Sequence, residues 1–215
     1  MTTDHERTVS MSLGGGIHEG MLGLPEQPRG LVVFAHGSGS SRFSSRNRFV
    51  AGRLRQVGMA TLLFDLLSEE EDRVYENRFD IDLLAERLAQ ASDWMAGQPE
   101  LATLPQGYFG ASTGAAAALK AAASRPDAIR AVVSRGGRPD LAGDALPRVE
   151  APTLLIVGGA DTQVIELNQW AQGRLRATCE MAIVPGATHL FEEPGTLAQA
   201  AELAADWFAR WLAAA

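Results

Sequence analysis

Ser112 stands in "GYFGASTGAAAALKAAA", residues 107–123, with Gly110 and Gly114 two residues to either side. That is the G-x-S-x-G spacing in which a serine occupies a tight strand-to-helix turn, its hydroxyl lifted clear of the sheet and its neighbours kept small where the chain crosses itself. A serine hydroxyl is a weak nucleophile near neutral pH. The chemistry therefore needs a base to take its proton and a carboxylate to orient that base. Of the four histidines, His5 and His18 lie near the N-terminus, and His36 ends an early apolar run, where it is expected to brace its loop through hydrogen bonds. His189, in "GATHLFEEPG" after the last apolar run, is the candidate base. Asp161, just past "TLLIVGGA", is the candidate orienting acid. Ser112, Asp161, His189 is also the chain order that accompanies such an elbow.

A tetrahedral intermediate needs hydrogen-bond donors for its oxygen. "VVFAHGSGSSR" ends in a glycine-rich turn whose backbone amides suit that task, with Ser38 favoured as the first donor and Gly37 beside it. The amide of Thr113, directly after the serine, is the second. Arginines recur in two further stretches, Arg42, Arg46 and Arg48 in "SSRFSSRNR" and Arg135 and Arg138 in "SRGGRPD". Read as loops at the active edge, these place guanidinium groups where they can grip a carboxylate or phosphate through paired hydrogen bonds. Arg135, Arg138 and Arg42 are the candidate substrate-binding residues, with Arg135 the sharpest because it directly follows a strand. Each residue also has a plainer reading. Ser112 could be a packing serine, Asp161 a helix cap, His189 a surface histidine and residues 37–39 a flexible turn; the arginines could be solvated or paired with Glu69, Glu70, Glu71 and Asp72.

The elements around these residues must bring them to one edge of a sheet. Apolar runs bounded by glycine and proline alternate with helical patterns, which predicts a mainly parallel sheet with helices on both faces. Eight strands are expected at "RTVSMSL", "HEGMLGL", "GLVVFAH", "ATLLFDL", "QGYFGA", "IRAVVS", "PTLLIVGG" and "CEMAIVP". The first two form an antiparallel edge hairpin turned at residues 14–16. The later ones lack polar alternation, as strands covered on both faces do, and are placed at the centre. Ile81, Leu84, Leu88, Ala91 and Met95 form one helical stripe, and Leu197, Ala201, Ala204, Phe208 and Trp211 another that closes the chain. Between "AVVS" and "APTLLIVGG" lie only about sixteen residues, too few for a separate cap domain.

Composition narrows the function. The chain has 215 residues, 46% hydrophobic and 21% charged, as a single globular domain over residues 1–215 would. A net charge of -7 argues against nucleic acid or anionic lipid as a partner. One cysteine, Cys179, precludes an intrachain disulfide or a multi-cysteine metal site. The N-terminus "MTTDHERTVS" has no apolar core of signal-peptide type, and no run approaches the length of a membrane span, so the expected location is cytoplasmic.

Together, "HGSGSS", "GASTG", "GGADT" and "GATHLFEEPG" resemble the α/β-hydrolase superfamily, and residues 30–213 look like a small, capless member of the dienelactone hydrolase family. The resemblance implies an α/β-hydrolase fold, a three-layer α/β/α sandwich around a mainly parallel eight-stranded sheet. It also implies nucleophile, acid and base at Ser112, Asp161 and His189, with no cofactor and no metal. One departure is plain: dienelactone hydrolases proper carry cysteine at the elbow, where this chain has serine. The expected activity is therefore hydrolysis of carboxylic esters of small soluble substrates through a serine acyl-enzyme, by a monomer or homodimer. Thioester, lactone or amide hydrolysis by the same three residues, or a noncatalytic ligand-binding or interaction module on this scaffold, are the alternatives. Sequences of this look also occur alongside phosphoribosyltransferase domains, and no such domain is recognised in this chain.

Overall fold

The computed structural model describes residues 5–212; residues 1–4 and 213–215 of the expected domain lie outside the described residues. The chain opens with β1 (His5–Leu13) and β2 (Gly16–Leu24), an antiparallel pair in which Leu13 faces Gly16 across a two-residue turn. Gly14 and Gly15 take φ of 56° and 85° there. Two successive positive φ values give the turn whose twist matches that of the paired strands, which is why glycine holds both places. Then follow β3 (Gly30–Ala35), α1 (Ser45–Gln56), β4 (Met59–Phe64), the single turn α2 (Glu69–Asp72) and α3 (Ile81–Ala96). The second half contains β5 (Gln106–Ala111), α4 (Thr113–Ala123), β6 (Ile129–Arg135), β7 (Thr153–Gly158), α5 (Thr162–Gln172), β8 (Cys179–Val184) and α6 (Thr196–Trp211).

The eight strands form one sheet in the order β1-β2-β4-β3-β5-β6-β7-β8. β1 with β2 and β2 with β4 are antiparallel; every later pairing is parallel. One face is covered by α3 and α4, whose Leu84, Leu88, Met95 and Leu119 pack on Leu31, Val33, Leu62 and Tyr108. On the other, Val50 and Leu54 of α1 and Ala204 and Phe208 of α6 pack on Val32, Phe34, Phe109 and Val133. This is the α/β-hydrolase sandwich. The segment between β6 and β7 is a run of 3-10 turns over Pro139–Arg148, with no cap domain among the described residues. None of the described helices is long and apolar enough to cross a membrane.

Two expectations are corrected. β8 is an edge strand and partly exposed along its length, because β7 is its only neighbour; its apolar sequence is not evidence of a central place. Arg46 and Arg48 lie on α1, not in a loop. Ser44 caps that helix by accepting from the Asn47 amide, and four arginines in "SRNRFVAGRLRQ" mask its apolar stripe of Val50, Ala51 and Leu54.

The strand that leads to Ser112 is anchored by a buried polar pair. Tyr108 Oη lies 2.8 Å from Ser92 Oγ, beneath α3, and burial drives the phenol upward, away from ionisation. A buried hydroxyl that loses its partner costs about 1–3 kcal/mol, whereas removing both partners together is nearly neutral. Tyr108→Phe is therefore expected to lower the urea-unfolding free energy by about 1–3 kcal/mol, and Ser92→Ala added to it should restore most of that loss.

Candidate active site

β5 passes into α4 with a single residue, Ser112, between them. Its backbone sits at φ 53°, ψ -124°, a conformation that costs a non-glycine residue on the order of 1–3 kcal/mol. Neighbouring groups hold it there. The Ser112 carbonyl accepts from the Arg138 amide at 3.0 Å and from the Ala115 amide at 3.1 Å, and the Ser112 amide donates to the Arg135 carbonyl at 3.4 Å. A Cβ on Gly110 would lie 2.4 Å from Ala115 Cα, and one on Gly114 would lie 2.2 Å from the Ala35 carbonyl oxygen. The flanking glycines let β3, β5 and α4 close around the turn.

The structure brings the three expected residues into one line. Ser112 Oγ lies 3.4 Å from His189 Nε2, and His189 Nδ1 donates to Asp161 Oδ2 at 2.7 Å. With its Nδ1 hydrogen committed to the carboxylate, the imidazole turns the lone pair of Nε2 toward the serine hydroxyl. The Ser112 contact is long, as such contacts are before substrate tightens them. Asp161 begins α5, yet its side chain makes no capping bond to that helix; it goes to His189 instead. The histidine's loop is pinned by Glu193, whose carboxylate accepts from the Thr188 amide at 3.0 Å and the Thr188 hydroxyl at 2.6 Å. Those two bonds hold its carboxyl below the usual range. Sequence reasoning missed Glu193, since nothing in "THLFEE" shows which acidic residue folds back.

His36 braces the neighbouring turn as expected. Its Nδ1 donates to the Gly37 carbonyl at 2.9 Å, and its Nε2 accepts from the Leu66 amide at 3.1 Å. Burial lowers its pKa, in keeping with a neutral ring. Gly37 abuts Ser112, with room for no more than a tight methyl 3.0 Å from Ser112 Cβ. The Ser38 amide departs from expectation: it donates to Thr113 Oγ1 at 2.9 Å. Thr113 thus contributes an amide at the start of α4 and a hydroxyl that already occupies the other expected donor.

The arginines separate. Arg42 is bound to Asp65, through its amide at 2.8 Å and its guanidinium, and Arg138 forms a two-point pair with Asp140 at 2.9 and 2.8 Å. Neither lines the cavity at Ser112, so both leave the substrate-binding set: each already has its anion. The arginines do not pair as a group with residues 69–72 either; those positions take Arg78 and Arg87. Arg135 is different. A cavity of about 250 Å³ is lined by Ser112, His189, Leu190, Asn47, Arg46 and Arg135, among others, and Arg135 is 7% exposed. A neighbouring hollow on the far side of the 37–40 turn, bordered by Asp65, Ser68 and Leu84, reaches neither Ser112 nor His189.

Comparisons with known proteins show the family and the fold. A family model described as the dienelactone hydrolase family matches residues 19–215. A dienelactone hydrolase of known structure from Anabaena variabilis is 54% identical, covering 97% of this chain and 99% of its own, with a TM-score of 0.95. Est1E from Butyrivibrio proteoclasticus, 16% identical with a TM-score of 0.80 over 94% of this chain and 98% of its own, shares the fold. Proteins from two strains of Mycobacterium tuberculosis, provisionally named phosphoribosyl transferases, are 66% identical over 189 residues; the match takes in 88% of this chain but 43% of theirs. The chain thus spans less than half the length of those relatives.

Two outcomes follow from the strained elbow and the braced turn. Glycine ordinarily destabilises a site relative to alanine, yet only glycine relieves the Ser112 backbone. Ser112→Gly should therefore unfold at higher denaturant than Ser112→Ala, by about 1 kcal/mol. His36 has a folded-state pKa below its unfolded value, so its contribution is fully present above about pH 6.5 and is lost as pH falls through the lower folded value. Chemical denaturation across that acid limb should show stability declining in the native protein and a shallower decline in His36→Asn.

Proposed function

The chain belongs to the dienelactone hydrolase family, and from that premise we propose that it hydrolyses carboxylic esters of small substrates through an acyl-enzyme on Ser112. The observation that carries this reading is the continuous line from Ser112 Oγ to His189 Nε2 to Asp161 Oδ2 at a strained strand-to-helix turn. Ser112 Oγ attacks the acyl carbon as its proton passes to His189 Nε2. The imidazolium so formed is stabilised by Asp161 and returns the proton to the leaving alkoxide. Water then repeats the sequence on the acyl-enzyme, losing its proton to His189 and releasing the acid.

Developing charge on the carbonyl oxygen meets the Thr113 amide at the positive end of α4. The Ser38 amide joins it once the oxygen displaces Thr113 Oγ1 from that donor. The name carried by the mycobacterial relatives belongs to proteins more than twice as long as the shared segment, and this site supplies no reason to transfer it.

A fluorophosphonate probe tests the assignment. It should label Ser112 stoichiometrically and fail to label Ser112→Ala; no labelling of the folded protein would point to a noncatalytic module. On a simple ester, Ser112→Ala and His189→Ala should each lose about 10⁴-fold or more in kcat, while Asp161→Asn should retain more than either. An uncapped site of about 250 Å³ suits short acyl groups. Short-chain soluble esters should be turned over faster than long-chain triglycerides, with no activation at an oil-water interface in a pH-stat assay.

A further inference from the structure

Arg135 is buried and has no carboxylate. Its Nε and Nη1 have no hydrogen-bond partner, and Nη2 has only Asn47 Oδ1 at 3.4 Å. The rings of Phe109 and Phe191 flank the guanidinium at 6.0 and 5.8 Å from their centroids. Ring faces give a cation some electrostatic relief but accept none of its in-plane hydrogens. Burial, reinforced by the like charge of Arg46, lowers the Arg135 pKa to about 10, so it still carries its proton at neutral pH. Arg46 lines the same cavity and has only a 3.5 Å contact to an exposed Glu192. Helix α1 begins there too, with Ser44, Arg46 and Asn47 in the lining, no acidic residue in its first turn and no acidic side chain in the lining as a whole. Two guanidinium groups and a helix N-terminus therefore converge with no lining carboxylate to match them.

We propose that this cavity receives a doubly charged oxyanion on the substrate, as a phosphate monoester group provides, with Arg135 as its inner partner and Arg46 as its outer one. The inference rests on the hydrolase reading for its substrate, an ester with that group a few bonds from the scissile carbonyl. In register, Arg135 faces Ala111, the residue before the nucleophile, so an anion held by Arg135 fixes where the carbonyl falls relative to Ser112. A single carboxylate would match Arg135 and leave Arg46 with only the exposed Glu192 outside the cavity. A phosphate monoester presents three oxygens and close to two charges, enough for both.

Binding and turnover test this separately. Inorganic phosphate at millimolar concentration should raise the Tm of the native protein, acetate at equal ionic strength should not, and the phosphate shift should vanish in Arg135→Met and shrink in Arg46→Ala. For turnover, 2-acetoxyethyl phosphate, 3-acetoxypropanoate and neutral 2-methoxyethyl acetate form a matched set. The ratio of kcat/KM for the phosphate ester to that for the neutral one should fall at least tenfold in Arg135→Met, mainly through KM, and several-fold in Arg46→Ala, a half-buried helix position that keeps the test valid if Arg135→Met folds poorly. Phosphate protection that depends on Arg135, without turnover of any ester, would uphold the anion site while removing the hydrolase reading. Turnover of the neutral ester with no phosphate protection and an unmoved ratio in both variants would overturn the site alone. Preference for the carboxylate ester over the phosphate ester would overturn the double charge.

Discussion

The backbone of Ser112 is the constraint on which the rest of the site depends. Left to itself, a serine does not hold φ 53°, ψ -124°, and the surrounding structure must over-determine it. The Ser112 carbonyl is fixed from two directions, by Arg138 beyond β6 and by Ala115 within α4, while Gly110 and Gly114 let the helix and β3 come close enough to enforce the turn. What this strain yields is placement. The hydroxyl emerges at the carboxyl edge of β5, the end of the sheet at which open α/β folds bind ligands, and the first amides of α4 lie next to it.

The other two members of the line arrive from elements separated from the elbow by β6 and more than forty residues of chain. Asp161 caps α5 with its backbone and is free to turn its carboxylate to His189, while Glu193 folds back on Thr188 to set the loop that carries the imidazole. At 3.4 Å, His189 Nε2 needs little further movement to engage the Ser112 hydroxyl. His36, held neutral by burial, ties the 37–40 turn to the end of β4 through Leu66. The loop that carries the imidazole and the 37–40 turn are thus each held by a polar side chain outside the Ser112–His189–Asp161 line, neither of which adds a carboxylate to the cavity.

Against that economy, Arg135 stands out. An ion removed from water without a partner costs several kcal/mol even after relaxation, on the order of the whole margin by which a domain of this size is stable. Arg42, Arg87 and Arg138 all have carboxylates nearby, so the chain is able to supply them. The absence of a carboxylate around Arg135, in the same cavity as Ser112, is the feature that a ligand's own charge would explain.

The sequence by itself indicated eight strands in a mainly parallel sheet and singled out Ser112, Asp161 and His189, because each sits at the end of an apolar run and is marked by glycine spacing and chain order; the structure brings the three side chains into one line. The sequence also indicated that His36 braces the turn. It did not determine α1, whose arginines conceal a three-residue apolar stripe, nor the edge position of β8, since an apolar strand reads alike at the rim and at the centre. Among the five arginines the sequence favoured Arg135 only for its place after a strand, and the tertiary structure was needed to set Arg42 and Arg138, each beside an aspartate, apart from Arg135, buried between two phenylalanine rings; it likewise assigned the Ser38 amide to the Thr113 hydroxyl and Thr188 to Glu193. The physical reason is the same in each case. Backbone pattern and glycine placement are local and are written in adjacent residues, whereas the partner of a long polar side chain depends on which distant segment the sheet order brings beside it.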